Sequence, residues 1–323
     1  MTEDLLTVKN LKKYFKISMG TVKAVDDVSF SIKPGETFGL VGESGSGKST
    51  TAFTVMGIYP PTGGNITFQG KPLVGGVKDR PRSLKKDLQM VFQDPGSSLN
   101  PRRSIGQILD LPLSVHKLFE GKHKERIDDV LNMVGLPTDF VDRFPKQLGG
   151  GEKQLVAIAR ALATEPAFIA LDEPSSALDV SMQAKIINTL LNIQKEYHIT
   201  YLFITHNLSL MRNVAHDIGI MYLGKLLEVA PSSEFFTRPL HPYTKMLISS
   251  IPVITAEEEA LKPKKIISTG EIPGGLHVPD GCAFNTRCNE CEEKCKSVEP
   301  EMVEVEEGHW IKCHLFSPKV QAS

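Results

Sequence analysis

The sequence predicts an α/β fold with a parallel sheet at its centre, and three observations predict it. First, Thr37-Phe38-Gly39-Leu40-Val41 is an apolar run that leads into Gly42-Glu43-Ser44-Gly45-Ser46-Gly47-Lys48-Ser49, and the helix-compatible run from Thr50 to Met56 follows. This strand, glycine-rich loop and helix match G-x-x-x-x-G-K-[ST], a phosphate-binding P-loop. Second, apolar strands and an amphipathic helix alternate further on: Phe168-Ile169-Ala170-Leu171, then residues 181–197, then Thr200-Tyr201-Leu202-Phe203-Ile204. Met182, Ile186, Leu190 and Ile193 share one face of that helix, and such alternation implies parallel strands with helices packed on them. Third, the strand at 168–171 ends in two acids, Asp172 and Glu173.

The remaining elements follow in order. Leu5 to Val8 and Ala24 to Ile32 have strand composition with partial alternation, and Ile66-Thr67-Phe68 follows a turn at residues 60–64. These predict an antiparallel β subdomain. Ile105 to His116, Lys124 to Val134 and Glu152 to Ala163 read as helices and place a helical subdomain at about residues 95–165. Ile218 to Tyr222 and Lys225 to Val229 read as a hairpin turning near Gly224. The nucleotide-binding domain is expected over residues 1–252, a linker over 253–280, with charged, patternless Ala256 to Lys265 inside it, and a cysteine-rich module over 281–323. There is no internal repeat.

Bulk properties narrow the class. Of 323 residues, 41% are apolar, enough for a real core, and the formal net charge of −1 gives no global field to attract nucleic acid. Met1 to Leu6 is acidic and lacks the features of a signal peptide. No apolar run approaches the roughly 20 residues that span a bilayer, so a role at a membrane would need other chains to hold this one there.

The chemistry of the motifs is that of a nucleoside triphosphate site. Glycines let backbone N–H groups turn toward a polyphosphate at a helix N-terminus. Lys48 would reach the β- and γ-phosphates and Ser49 would ligate Mg²⁺. Asp172 would complete the Mg²⁺ shell, mostly through water, and Glu173 would act as general base toward the attacking water. Gln93, at the end of the strand Met90-Val91-Phe92, and His206, after the strand at 200–204, would approach the γ-phosphate, with the Gln93 amide able to contact Mg²⁺ or water.

Taken together these motifs resemble the ATP-binding subunit of ABC transporters, over Leu5 to Cys313. Five motifs stand in the family's order: the P-loop, the Gln93 loop, Leu148-Gly149-Gly150-Gly151-Glu152, Leu171-Asp172-Glu173 followed by Ser176-Ala177-Leu178-Asp179, and His206. Gln93-Asp94-Pro95-Gly96-Ser97-Ser98-Leu99-Asn100-Pro101-Arg102, His241-Pro242-Tyr243-Thr244 and Gly281-Cys282-Ala283-Phe284 look like the oligopeptide/dipeptide importer branch. The resemblance implies a P-loop ABC-type ATPase core that binds ATP and Mg²⁺. It implies a second ATP-binding subunit, two permease subunits and an extracellular solute-binding protein as partners, with this chain peripheral on the cytoplasmic face of the cell membrane. Some members are thought to carry oligosaccharides, so peptide and oligosaccharide both remain open.

The resemblance also assigns residues. Phe15, or its neighbour Tyr14, would stack on adenine. Gly42 to Thr50 would hold the phosphates, and Gly149, Gly150, Gly151 and Asp179 would meet nucleotide across a head-to-tail dimer. The groove near Gln93 would receive a permease helix. Cys282, Cys288, Cys295 and Cys313 match a four-cysteine motif that suggests a [4Fe–4S] cluster. Zinc in a Cys₄ site is the alternative, and Cys291 complicates the ligand choice.

Departures bear on mechanism. The family signature is Leu-Ser-Gly-Gly-Gln, whereas this chain has Gly149 in the serine position and Glu152 in the glutamine position. The partner's site, closed by this altered signature, would then hydrolyse slowly. Asn207, where the family often has aspartate, is milder. Two rival readings are a regulatory nucleotide-binding subunit with weak hydrolysis and a non-transport ABC ATPase. The second would need a long coiled coil or a second ATPase domain, and the sequence has neither.

Overall fold

A computed structural model describes residues 3–251, 266 and 275–316. Ala256 to Lys265 and most of the expected linker lie outside the described residues.

The chain opens with a long hairpin, β1 (Leu6–Ile17) and β2 (Gly20–Ile32), then β3 (Thr37–Val41), α1 (Lys48–Val55), β4 (Gly63–Phe68) and β5 (Lys71–Pro72). A helical stretch around one strand follows: α2 (Arg82–Asp87), β6 (Leu88–Val91), α3 (Pro95–Ser98), α4 (Ile105–His116), α5 (His123–Met133) and α6 (Gly150–Leu162). Next come β7 (Phe168–Asp172), α7 (Val180–Tyr197), β8 (Thr200–Thr205), α8 (Leu208–Val214), β9 (Asp217–Tyr222), β10 (Lys225–Pro231), α9 (Ser232–Thr237) and α10 (Pro242–Ser249). The chain ends in β11 (Val303–Glu306) and β12 (His309–Ile311).

The strands form two sheets. One has the order β2-β1-β4-β5, with antiparallel pairings. The other has the order β11-β12-β10-β9-β3-β8-β7-β6, parallel from β9 to β6 and antiparallel from β9 through β10 and β12 to β11. The P-loop strand β3 is therefore central, flanked by β8 and β9, and β7 lies just beyond β8. In such sheets ligands bind at the carboxyl ends of the parallel strands, which is where Gly42, Glu173 and His206 emerge.

Period-two alternation divides the core. Phe168 and Ala170 of β7, with Leu202 and Ile204 of β8, face α1 and the antiparallel sheet. Ile169, Leu171, Tyr201 and Phe203 face the opposite way, into a cluster shared with α4, α6, α7 and α10. All eight positions are buried, so each face of these two strands is covered, as continuous apolar strand sequences require. Truncating Phe203 to alanine there would cost about 3–5 kcal/mol.

The hairpin β1–β2 extends well past the strand expected at Leu5 to Val8. Register shifts between Val8 and Leu11, between Leu11 and Lys13, and between Lys13 and Tyr14 break the alternation that marks a strand in sequence, and Asn10 takes a left-handed φ of 49°. The expected helices at 105–116, 124–134, 152–163 and 181–197 correspond to α4, α5, α6 and α7.

The cysteine-rich segment packs into the rest of the molecule. Its strand β12 pairs with β10 and extends the main sheet. Cys282, Ala283 and Phe284 belong to the larger core cluster. Glu299 accepts from Lys225 at 2.7 Å and lies 2.9 Å from Lys312. His309 Nε2 sits 2.8 Å from Glu228 Oε1, with both side chains buried.

Candidate functional site

The P-loop needs its glycines for close approach. Gly47 caps α1 with a φ of 107°, and a Cβ there would lie 2.2 Å from the Ala24 carbonyl oxygen. At Gly42 a Cβ would lie 2.1 Å from the Met221 carbonyl oxygen. The loop consequently wraps tightly and leaves the free N–H groups of the α1 N-terminus facing an open cleft of ≈ 720 Å³. Gly45, Lys48, Ser49, Gln93, Glu173 and His206 all line it.

Two polar pairs prepare the cleft for a charged ligand. Lys48 Nζ donates to the carbonyls of Gly42 at 2.7 Å and Glu43 at 3.0 Å. Burial lowers the Lys48 pKa, and the nearby carboxylates of Glu173, Asp172 and Glu43 oppose the shift. Ser49 Oγ donates to Asp172 Oδ1 at 2.9 Å. Burial raises the Asp172 pKa against the effect of the Ser49 hydrogen bond, and the neighbouring Glu173 raises it further. A hydroxyl and a carboxylate side by side suit Mg²⁺, which binds few protein oxygens and keeps several waters. The buried Ser46 hydroxyl in the same loop has no hydrogen-bond partner among the described residues. This donor set fits a magnesium-bound polyphosphate.

Glu173 is held on both sides. Gln93 Nε2 donates to its Oε2 at 3.1 Å, and His206 Nδ1 lies 3.2 Å from its Oε1. Its backbone N–H donates to Ile204 O at 2.9 Å, and its φ is 44°. A non-glycine residue in the left-handed region costs energy that the surroundings must offset, and such residues cluster at functional sites. The parallel register that sets Asp172 beside Ile204 and Val41 beside Thr205 brings together residues from β3, β7 and β8.

Other expected site residues lie elsewhere. Phe15 and Tyr14 are not among the described residues lining the cleft. Phe15 packs edge-on to Tyr59 with centroids 5.2 Å apart, and the Tyr14 hydroxyl donates to Asp26. Gly149, Gly150 and Gly151 stand at the start of α6, where Glu152 Oε2 folds back to accept from Gly149 N–H at 2.9 Å. Asp179 caps α7, accepting from Met182 N–H at 2.9 Å and from the Ser181 hydroxyl at 2.6 Å. A separate groove of ≈ 620 Å³ is lined by Phe92, Ser97, Ser98, His116 and Arg160, next to Gln93 in sequence but without Gln93 among its lining residues.

The expectation of a metal-bound cysteine site is not confirmed. No disulfide joins the described cysteines, and Cys282 and Cys313 are buried. Burial pushes the Cys288 thiol up to about 12 and the Cys313 thiol up to about 11, with added electrostatic opposition from neighbouring thiols. Yet among the described residues no group of three His, Cys, Asp or Glu side chains is arranged to hold a metal ion. The thiols are neighbours without being a ligand set.

Residues 25–176 match the ABC transporter family, and residues 227–295 match the family described as the oligopeptide/dipeptide transporter C-terminal region. The oligopeptide transport ATP-binding protein AppF of Bacillus subtilis is 44% identical, over 98% of this chain and 98% of that one. The chain belongs to the oligopeptide/dipeptide ABC transporter ATP-binding protein family. A second relative, the oligopeptide transport ATP-binding protein OppF of Bacillus subtilis, is 49% identical over 97% of each chain. Among solved structures, the dimeric post-hydrolysis state of the ATP-binding cassette MJ0796 bound to ADP and Pi superposes with a TM-score of 0.63 at 28% identity, covering 70% of this chain and 98% of that one. ATP and Mg²⁺ are the expected ligands of an ABC ATP-binding protein. No described helix is long and apolar enough to cross a membrane.

The sequence reading missed three residues around the P-loop. Arg287 grips the Glu43 carboxylate, Tyr243 Oη accepts from Glu43 N–H at 3.3 Å, and Tyr222 Oη lies 3.4 Å from Arg287. Nothing near Glu43 in sequence signals a partner 244 positions away.

Proposed function

We propose that this chain hydrolyses ATP to power import of a peptide through a membrane permease. The observation that carries this reading is the convergence of Gln93 and His206 on the Glu173 carboxylate at the mouth of a P-loop. Lys48, released from its two carbonyls, neutralises the β- and γ-phosphates. Glu173 accepts a proton from the attacking water, and Gln93 and His206 orient its two oxygens and report the γ-phosphate. Ser49 and Asp172 would hold Mg²⁺, which supplies charge neutralisation at the phosphates.

ATP closes a head-to-tail dimer with a second ATP-binding subunit. Support comes from the position of Gly149, Gly150 and Gly151, outside their own cleft, and from the dimeric, ADP-bound state of the MJ0796 structure. Asp179, beside that interface, would meet the partner's nucleotide. Adenine would stack on Phe15, or on its neighbour Tyr14, whose hydroxyl is tied to Asp26; both residues are half-buried. The groove lined by Phe92, the residue before Gln93, would receive a permease helix, so that nucleotide state at Gln93 moves the permease through this short stretch of chain. Two permeases and an extracellular solute-binding protein complete the assembly, with this chain on the cytoplasmic face. Peptide is favoured over oligosaccharide because both relatives are oligopeptide transport ATP-binding proteins.

A [4Fe–4S] cluster on Cys282, Cys288, Cys295 and Cys313, with zinc as the alternative, rests on the four-cysteine motif alone, since the described thiols are not arranged as a ligand set. Anaerobic protein should be brown with iron and sulfide in equal amounts. Colourless protein without iron would refute the cluster.

The test of the transport reading is gentle solubilisation of membranes containing tagged chain, followed by mass spectrometry. Two polytopic permeases and a second ATP-binding subunit should copurify. Recovery of the chain with ribosomal or DNA-bound proteins would refute it.

A further inference from the structure

The P-loop is held from outside the ATPase core. Arg287 stands in the C-terminal segment between Phe284 and Cys288. Its two terminal nitrogens donate to the two Glu43 carboxylate oxygens, at 2.7 and 3.1 Å. The guanidinium is nearly buried and lies 5.7 Å from the Tyr222 ring centroid and 5.8 Å from that of Phe284. A two-pronged pair whose guanidinium is nearly buried against aromatic rings, with the Glu43 carboxylate partly exposed, is stronger and more directional than a pair between two exposed side chains, and lysine cannot reproduce its geometry.

Glu43 is not a bystander in the loop. Its carbonyl accepts from Lys48 Nζ at 3.0 Å and from Ser46 N–H at 3.2 Å, and its N–H donates to Tyr243 Oη at 3.3 Å. One residue thus carries the phosphate-binding lysine on its backbone and the C-terminal segment on its side chain. Anchoring the segment does not require this link. The β10–β12 pairing, the Glu299 contacts to Lys225 and Lys312, and the His309–Glu228 pair all dock it elsewhere.

We propose that Arg287 is a positioning residue for nucleotide binding: from the C-terminal segment it holds Glu43, and through Glu43 it fixes the peptide groups on which Lys48 and the phosphate cradle depend. This rests on the reading of the cleft as an ATP site. Ordering the loop before the ligand arrives lowers the cost of binding, so loss of the fork weakens affinity first.

The experiment uses the full chain. Arg287→Ala, Arg287→Lys, Glu43→Gln and the combined Arg287→Ala/Glu43→Gln variant are compared with wild type. The readouts are equilibrium binding of a fluorescent ATP analogue, hydrogen exchange of the amides at residues 42–48, and melting temperature. Arg287→Ala should weaken binding about tenfold, Arg287→Lys less, and the loop amides should exchange faster. The combined variant should be no weaker than the more damaged single variant, because both remove one interaction. Binding by Arg287→Ala within about twofold of wild type at native melting temperature, or additive losses in the combined variant, would overturn the proposal. Should Arg287→Ala fail to fold, Glu43→Gln, which leaves the C-terminal segment intact, decides by the same criterion. Absence of binding by wild type would overturn the ATP reading itself, a result distinct from normal wild-type binding with an indifferent Arg287.

Discussion

The nucleotide cleft and the cysteine-rich segment are both clusters of reactive side chains, and they are built on different principles. In the cleft, donors and acceptors converge at hydrogen-bond distance: Lys48 on two carbonyls, Ser49 on Asp172, Gln93 and His206 on Glu173. In the cysteine segment burial first, and then neighbouring thiols, disfavour the thiolate forms of Cys288 and Cys313, and the thiols form no ligand set among the described residues. The cleft hangs from the ends of adjacent parallel strands, so backbone hydrogen bonding sets its geometry in advance. The cysteine segment is mostly turns tied to the sheet through β12, and metal affinity in such segments is coupled to folding.

The comparison can be broken at either end. The largest effect expected is from Lys48→Ala. It should weaken ATP binding by roughly 100-fold or more, since it removes a charge-assisted contact to two phosphates at once. Melting temperature should not fall, because a partly desolvated ammonium is lost with it. Isothermal titration and a thermal melt check both.

Acid should strike the region around the cysteine segment. His241 is fully buried at the start of α10, near Phe284, and its Nδ1 accepts from Tyr243 N–H at 3.0 Å. Burial lowers its pKa from 6.5 to about 4, with Glu228 opposing and Lys245 reinforcing. Between those values the unfolded chain binds the extra proton. Stability therefore falls as pH drops from about 6.5 to about 4, by on the order of 3 kcal/mol. His241→Asn keeps an N-cap acceptor for Tyr243 and should flatten that slope, read from denaturant melts followed by near-ultraviolet circular dichroism of the Tyr222–Tyr243 pair.

A smaller effect sharpens the contrast between this chain's own site and the one its signature would close in the proposed dimer. Gly149→Ser restores a hydroxyl at the start of α6. One charge-assisted hydrogen bond is worth roughly 1.5–3 kcal/mol at most, and part of it is offset while Glu152 occupies the Gly149 N–H. Turnover at the partner's site should rise severalfold, measured as ATPase rate of the assembled complex with this chain's own site silenced. An unchanged rate would show that the altered signature does not limit that site.

The same contrast explains what could be read from sequence. The P-loop, Asp172 and Glu173 are legible because their chemistry is written in consecutive residues at strand ends, where topology guarantees their placement. The buried strands and the helices at 105–116 and 181–197 are legible through their periodicity. The full length of β1 is not, because bulges around Leu11 and Lys13 break the period. Arg287 is invisible for a different reason. Its partner is 244 residues away, and only the docking of the C-terminal segment on the main sheet brings them together.

The most direct test of the central claim is ATP turnover by the complete transporter carrying Glu173→Gln in this chain, with bound nucleotide measured in parallel. The side chain keeps its size and its contacts with Gln93 and His206 in altered form, but it cannot take a proton from water. Turnover at this chain's site should fall by about 10²-fold or more, with ATP retained in a closed dimer. Normal turnover with ADP release would contradict it and place the catalytic base elsewhere.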